Sequence, residues 1–366
     1  VDQGDLDRIL ALLAQWEGSD LHIKAGASPR IRIDGELRTM TEEGRFSPED
    51  THLLVESIMP PQIGEIFEKH HEADFAYSVP GVGRFRVNAF YQRSSVALVL
   101  RRVRPNPGSP EELGLPGVIC ELADEQRGLV LVTGPTGSGK TTTLATMIDH
   151  INKTRPCHIV TIEDPIEYLH RDNLAAVDQR EVGFDTDSFG SAMRVVLRQD
   201  PDVILVGEMR DPETAQAALT AAETGHLVLT TLHTINVTET VNRIVDFFPP
   251  YQQSQTRISL AGSLRGTIAQ RLVRRADGNG RVPAMEIMVA NGRIRQCIID
   301  PETTGDIEGI VAEGEYYGMQ TFDQSLAQLL QEDTITLQEA LTNSSNPHDL
   351  RVMLERRGLV ATGSRW

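Results

Sequence analysis

The sequence predicts an α/β protein: a P-loop domain on a parallel sheet, preceded by a smaller α+β domain. Three observations carry this. The segment Gly134-Pro135-Thr136-Gly137-Ser138-Gly139-Lys140-Thr141-Thr142 contains G-x-x-x-x-G-K-T. The apolar run Leu129-Val130-Leu131-Val132 precedes it, and Leu144, Met147, Ile148 and Ile151 follow at helical spacing, giving strand, glycine loop, helix. Further on, runs such as Val203-Ile204-Leu205-Val206 are apolar on both faces, as buried parallel strands are, and they alternate with helical stretches. Before residue 105 the pattern is different: helices and alternating strands, closed by Pro105-Asn106-Pro107-Gly108-Ser109-Pro110. Those prolines can continue neither a helix nor a central strand, so they read as a linker.

Taken in order, the chain opens with an acidic start, Val1-Asp2-Gln3-Gly4-Asp5, which has no signal-peptide character. Leu6, Ile9, Leu10, Leu13 and Trp16 then space as one helical face. Ser19-Asp20-Leu21-His22-Ile23 begins an extended stretch, and Arg30 to Leu37 alternates through an Asp34-Gly35 turn, which reads as a hairpin. Ser47-Pro48-Glu49-Asp50 supplies a cap, a proline at the first turn and acids near the dipole, so a helix starts there. Three strands follow, at 73–79, 84–92 and 94–103. In the second domain strands are expected at 128–133, 158–163, 203–207 and 227–231. A helix begins at Asp211-Pro212-Glu213, and 269–274 pairs with 282–289 across Asp277-Gly278-Asn279-Gly280. Short helices fill the rest. The expected divisions are 1–104, a linker at 105–112, a P-loop domain at 113–300 and a C-terminal helical region at 301–366.

Composition narrows the function class. The 366 residues are enough for two domains. With 35 basic against 52 acidic side chains, the net charge of −17 argues against a general grip on nucleic acid. Cys120, Cys157 and Cys297 form no C-x-x-C pair, so neither a zinc site nor a disulfide framework is expected, and scattered thiols suit a reducing cytosol. No apolar run approaches ~18 residues, so no membrane insertion is expected.

The chemistry is expected around the glycine loop. Glycines let backbone N–H groups wrap a phosphate, and the helix start adds donors and a positive dipole end. Lys140 can reach the β- and γ-phosphates and Thr141 can hold Mg²⁺. Val203-Ile204-Leu205-Val206-Gly207-Glu208 resembles a Walker B strand, except that Gly207 stands where an Mg²⁺-linked Asp is usual. Glu208 is therefore read as the residue that polarises the attacking water. The alternative is a solvated acid at a strand end. Thr161-Ile162-Glu163-Asp164-Pro165-Ile166-Glu167 is a second acid cluster at a strand end. Its Glu163 and Asp164 can hold Mg²⁺ through water or orient the nucleophile, or simply cap a loop. Of the histidines in Thr224-Gly225-His226 and Thr231-Leu232-His233-Thr234, His233 follows a strand and can sense a γ-phosphate; His226 is read as structural. Arg84, Arg86 and Asn88 share a strand face and Arg101 ends the next strand. Arginines there can neutralise charge on a γ-phosphate or be merely solvated, and Arg243 and Arg271 are weaker candidates for the same task.

Four motifs in order resemble the secretion ATPases of type II secretion and type IV pili: 134–142, the acid box at 161–167, Val206-Gly207-Glu208-Met209-Arg210-Asp211, and the His box at 224–233. The segments 19–23, 83–88 and 318–324 are similar to the pilus-retraction branch. The absence of a tetracysteine element also favours that branch over extension and type II secretion. One stretch departs from it. Retraction ATPases carry A-I-R-N-L-I-R-E where this chain has Arg293-Ile294-Arg295-Gln296-Cys297-Ile298-Ile299-Asp300. The resemblance implies a PAS-like N-terminal domain, a RecA-like ATPase domain and a homohexamer that binds ATP and Mg²⁺ between its domains. It places the Walker B glutamate that activates water at Glu208, the acid-box Glu at Glu163, a shaping role at His233 and coupling arginines at Arg86 and Arg101. Glu163 and Glu208 would reach the metal through water, beside Thr141. It further implies a cytoplasmic protein, peripheral at the inner membrane through a pilus platform protein, with a second pilus ATPase as a further candidate partner. The expected activity is ATP hydrolysis driving pilus retraction and twitching. The alternatives are pilus extension or type II secretion, an accessory retraction role, a nucleotide-switched assembly protein, or a nucleic-acid translocase, which the charge disfavours.

Overall fold

The computed structural model describes residues 3–33 and 35–360. Val1 and Asp2 of the acidic start, Asp34 of the expected turn and residues 361–366 of the C-terminal region lie outside the described residues. The chain divides into two compact units between Asn106 and Pro107, with Glu167–Leu169 counted in the first.

The first unit runs α1 (Gln3–Gln15), β1 (Asp20–Lys24), β2 (Arg30–Ile33), β3 (Glu36–Thr39), α2 (Pro48–Ile58), α3 (Pro61–His70), β4 (Glu72–Val79), β5 (Gly83–Gln92) and β6 (Ser95–Arg102). Its sheet has the order β3-β2-β1-β6-β5-β4, with every pair antiparallel. Strand alternation sends Leu21, Ile23, Phe85, Val87, Leu98 and Leu100 into one core with Leu6, Ile9, Leu10 and Leu13 of α1. Trp16 departs from the expected helical face. The helix ends at Gln15, Glu17 turns left-handed at φ 54°, and the indole is 46 % exposed. The start of α2 is as the sequence reads. Ser47 accepts from the Asp50 N–H and Asp50 accepts from the Ser47 N–H, a reciprocal cap with Pro48 in the first turn.

The second unit begins with α4 (Val118–Ala123) and β7 (Gly128–Thr133), then α5 (Lys140–Thr154), β8 (His158–Glu163), β9 (Ala176–Glu181), α6 (Phe189–Val196), β10 (Val203–Val206), α7 (Pro212–Glu223) and β11 (Leu227–Leu232). It continues through α8 (Val237–Asp246), α9 (Pro250–Ser263), β12 (Leu264–Arg274) and β13 (Arg281–Val289), and ends in α10 (Gly292–Ile299), α11 (Ile307–Ala312), α12 (Phe322–Gln331), α13 (Leu337–Asn343) and α14 (Pro347–Arg356). The sheet order is β13-β12-β7-β11-β10-β8-β9, parallel throughout except for the β12–β13 hairpin. This is the α/β architecture that the alternating apolar runs predict. Every residue of β7, β10 and β11 is buried. Successive residues go to opposite faces: Leu129 and Leu131 meet the core of α6, α7 and α9, whereas Val130 and Val132 meet that of α4 and α5.

The edge strand β9 has no apolar signature. Ala-Val-Asp-Gln-Arg-Glu is polar because its outer side is unpaired, and only its pairing with β8 makes it a strand. The C-terminal helices join the far end of the β12–β13 hairpin, where Val273, Val282 and Ala284 pack with Leu326, Ile335, Leu350 and Leu354. Among the described residues, no helix is long and apolar enough to cross a membrane.

Candidate functional site

The parallel strands all deliver their C-terminal ends to one edge of the sheet, where open α/β sheets bind ligands. From β7 that edge runs through β11 and β10 to β8, so the ends carry in turn the glycine loop, His233, Glu208 and Glu163. The glycine loop, Glu163, Glu208 and His233 are thus brought together by topology alone.

The loop between β7 and α5 needs its glycines. Gly134 has φ 139°, and a Cβ there would stand 2.4 Å from the Gln270 carbonyl oxygen and 2.7 Å from Ser138 Oγ. Gly137 and Gly139 lie at φ 79° and 91°, where other residues are strained. Lys140 opens α5 and is buried, its Nζ donating to the carbonyls of Gly134 at 2.8 Å and Pro135 at 3.1 Å. The ammonium therefore lies inside the cup of its own loop. Thr141 and Thr142 occupy the first turn of a helix that no side chain caps, the place where backbone donors and the dipole favour an anion.

Glu208 lies just past β10, held from two sides. His233 Nε2 is 3.0 Å from its Oε1 and Arg210 Nη2 is 2.7 Å from its Oε2. Burial works to raise the Glu208 pKa. The hydrogen bond and charge of Arg210, with lesser help from His233 and Lys140, outweigh burial and hold it below the ordinary carboxylate range. The strand end itself is pinned: Thr231 Oγ1 donates to the Gly207 carbonyl at 2.7 Å, and the Gly207 N–H donates to Ile162 O at 2.7 Å. At Gly207 a Cβ would sit 3.3 Å from Ile162 O and 3.4 Å from Glu163 Cα. The acid usual at this position would crowd the end of β8, which gives its replacement a steric reason.

Glu163 ends β8, only 8 % exposed. Its Oε1 accepts from Thr161 Oγ1 at 2.7 Å and from Gln179 Nε2 at 3.0 Å. Gln179 comes from the polar edge strand β9, so that strand helps hold an acid of the site. His226 lies at the other end of β11, where its Nδ1 is 3.0 Å from Ala221 O. Arg243 lies over the Phe247 ring at 5.0 Å. Arg271 lies 4.0 Å from the Phe322 ring centroid and donates to Asn343 O at 2.7 Å, so it is committed to holding the C-terminal helices.

The remaining arginines belong to the first unit. Arg32, Asp20, Arg101 and Arg86 form one cross-strand row on the sheet face away from the core, with Arg86 directly opposite Arg101. Arg84 shares the face two residues away. Like charges directly opposite one another are unfavourable, and Asp20 offsets this. It is 4 % exposed, and its carboxylate takes Arg101 Nε at 2.7 Å and Ser19 Oγ at 2.7 Å, with Arg32 Nε at 3.9 Å. Burial raises its pKa, but the Ser19 and Arg101 hydrogen bonds and the Arg101 charge bring it below the ordinary value.

A depressed carboxyl contributes stability that is present above its unfolded pKa and lost as pH falls through the folded one. Asp20→Asn should therefore destabilise the protein at pH 7 by about 1–3 kcal/mol. The gap to the parent should narrow in denaturant titrations below about pH 4; a gap independent of pH would refute the ionic role.

Three site residues carried no role in the sequence reading. Arg210 lay inside a quoted motif without an assignment, Gln179 lay in a polar stretch, and Gln270 had no local signal, since only the β12–β7 pairing brings it to the glycine loop.

The family model described as Type II/IV secretion system protein matches residues 5–345. The chain is 44 % identical to the Type IV pilus retractation ATPase PilT of Pseudomonas aeruginosa over 94 % of its own length and 99 % of that protein. It is 42 % identical to the Type IV pilus ATPase PilU of the same organism, over 96 % and 91 %. Among solved structures, that of the pilus retraction motor PilT with bound ADP superposes with a TM-score of 0.85 at 45 % identity, covering 96 % of this chain and all of the other. With the glycine loop, acid box, Walker B strand end and His box all at one sheet edge, the chain belongs to the type II/IV secretion system protein family.

Proposed function

We propose that this chain is an ATP-hydrolysing motor that powers retraction of a type IV pilus. The observation that carries the chemistry is Glu208, held ionised between His233 and Arg210 beside the P-loop lysine. ATP phosphates would take the backbone donors of 134–142 and exchange for the carbonyls that now hold Lys140. Glu208 would accept the proton of the attacking water, His233 would report the γ-phosphate by hydrogen bonding, and Glu163 would orient the nucleophile. Among the described residues, no cluster of three His, Cys, Asp or Glu side chains forms a metal cage. Mg²⁺ would be held by Thr141 and, through water, by Glu163 and Glu208, and when bound would spread the phosphate charge. Arg86 and Arg101 are assigned the neutralisation of charge on the γ-phosphate and the coupling of hydrolysis to motion.

Support for retraction comes from relatives so named, and the solved ADP complex of PilT supports nucleotide binding. We assign a homohexamer acting on an inner-membrane platform protein from the cytoplasmic side, with no nucleic-acid substrate. A second reading, an accessory retraction role beside another pilus ATPase, draws on the similarity to the pilus ATPase PilU and on the departure at 293–300.

Two measurements test the proposal. The purified protein should release phosphate steadily; a single burst per nucleotide would favour a switch. Cells lacking the gene should extend pili that fail to retract in force measurements on tethered filaments. Normal retraction with absent assembly would overturn the retraction reading, and loss of force only under load would assign the accessory role.

A further inference from the structure

The geometry points to Gln270 as a positioning residue that sets the conformation of the glycine loop from a neighbouring strand. It is 1 % exposed and lies on β12, next to β7, one residue past the Ala269–Thr133 pair. Its side chain makes two buried hydrogen bonds: Nε2 donates to the Ser138 carbonyl at 2.6 Å, and Oε1 accepts from Thr143 Oγ1 at 2.9 Å. Ser138 belongs to the loop and Thr143 to the first turns of α5, so one amide spans the junction at which Lys140 enters the helix.

The junction calls for one donor and one acceptor on the same side chain, which an amide supplies at any pH. The Ser138 carbonyl can only accept, so its partner must donate, whereas the Thr143 hydroxyl donates to the other end. A peptide unit is planar and trans, so a pull on the Ser138 carbonyl aims the Gly139 N–H in the opposite direction. Gln270 thus fixes the heading of a loop donor that it does not touch. It also accounts for two of the motif's glycines. A Cβ at Gly134 would collide with the Gln270 carbonyl oxygen at 2.4 Å, and one at Gly139 would press on its Nε2 at 3.0 Å. The loop is moulded against this residue on both sides.

This inference rests on the nucleotide-binding reading of the loop. Gln270→Glu keeps the shape but turns an ionised carboxylate on the Ser138 carbonyl, and it should weaken binding of a fluorescent ADP analogue at pH 8 by roughly tenfold or more. At pH 6 much of that affinity should return, because the protonated carboxyl donates once more while the parent changes little; a merely structural residue would give no such recovery. Gln270→Met, which fills the space without polar atoms, should bind weakly at both pH values. Thr143→Val should lose roughly threefold, and it keeps the test alive if the buried acid prevents folding. Parental affinity in both Gln270→Met and Thr143→Val overturns the inference. Lys140→Ala separates the two levels. If it too binds like the parent, the nucleotide reading of the loop fails; if it alone binds weakly, that reading stands and only the role of Gln270 falls.

Discussion

Glu208→Gln should bind nucleotide as the parent does and hydrolyse it at least ~100-fold more slowly, the scale of a lost general base. The substitution keeps size and one acceptor oxygen, so contact with His233 or Arg210 can persist while the proton acceptor is gone. The wild-type carboxylate is well suited to stay ionised at neutral pH. Burial alone would push its pKa up, and the 2.7 Å contact with Arg210 is the main influence that reverses this. The sign of the pH dependence follows. A base works above its pKa, so turnover should persist to lower pH than an ordinary glutamate would allow. Removing Arg210 as Arg210→Ala should raise that pKa and move the acid limb of the rate profile towards neutrality. Single-turnover phosphate release by each variant, with nucleotide binding measured in parallel, checks both statements. Parental turnover by Glu208→Gln would transfer the role of base elsewhere, with Glu163 the next candidate at the same sheet edge.

How much of this was legible in the sequence depended on whether the signal was local. The loop and its flanking strand and helix could be read because a run apolar on both faces and a helical repeat bracket a motif of fixed spacing. Parallel order then placed Glu163, Glu208 and His233 together without any further sequence signal, since each stands at the C-terminal end of a parallel strand. What could not be read depends on pairing across the sheet. Gln179 supports Glu163 from β9, a strand so polar that it reads as loop. Gln270 looks like an ordinary polar residue until β12 is known to lie beside β7. Arg101 is exposed, as the sequence suggests, but only the register reveals that it lies between buried Asp20 and a second arginine, Arg86. Trp16 failed in the other direction: its spacing continues a helical face, but the backbone leaves the helix one residue earlier.

The second large effect is expected at Lys140, and it separates holding the loop from holding the nucleotide. The Lys140 ammonium is buried and bonded to the Gly134 and Pro135 carbonyls, so before any phosphate arrives it serves as an internal tie of the loop. Lys140→Ala removes that tie and leaves two carbonyls short of a donor, a loss of about 1–3 kcal/mol, offset in part because a buried ammonium is itself costly to desolvate. The nucleotide-free variant should therefore melt within a few degrees of the parent. The difference should appear on adding ligand. A protein that binds only in its folded state gains about 2.7 kcal/mol at a ligand concentration of 100 Kd, and the parent should show the corresponding rise in Tm with ADP. Without the cation that charge-pairs with phosphate, the variant should lose most of that rise, and its ATP turnover should be undetectable. The measurement is a pair of melting curves, with and without ADP, for parent and variant. An undiminished ADP-dependent rise in Lys140→Ala would mean that the ammonium serves the loop alone. The nucleotide reading of the loop would then fail.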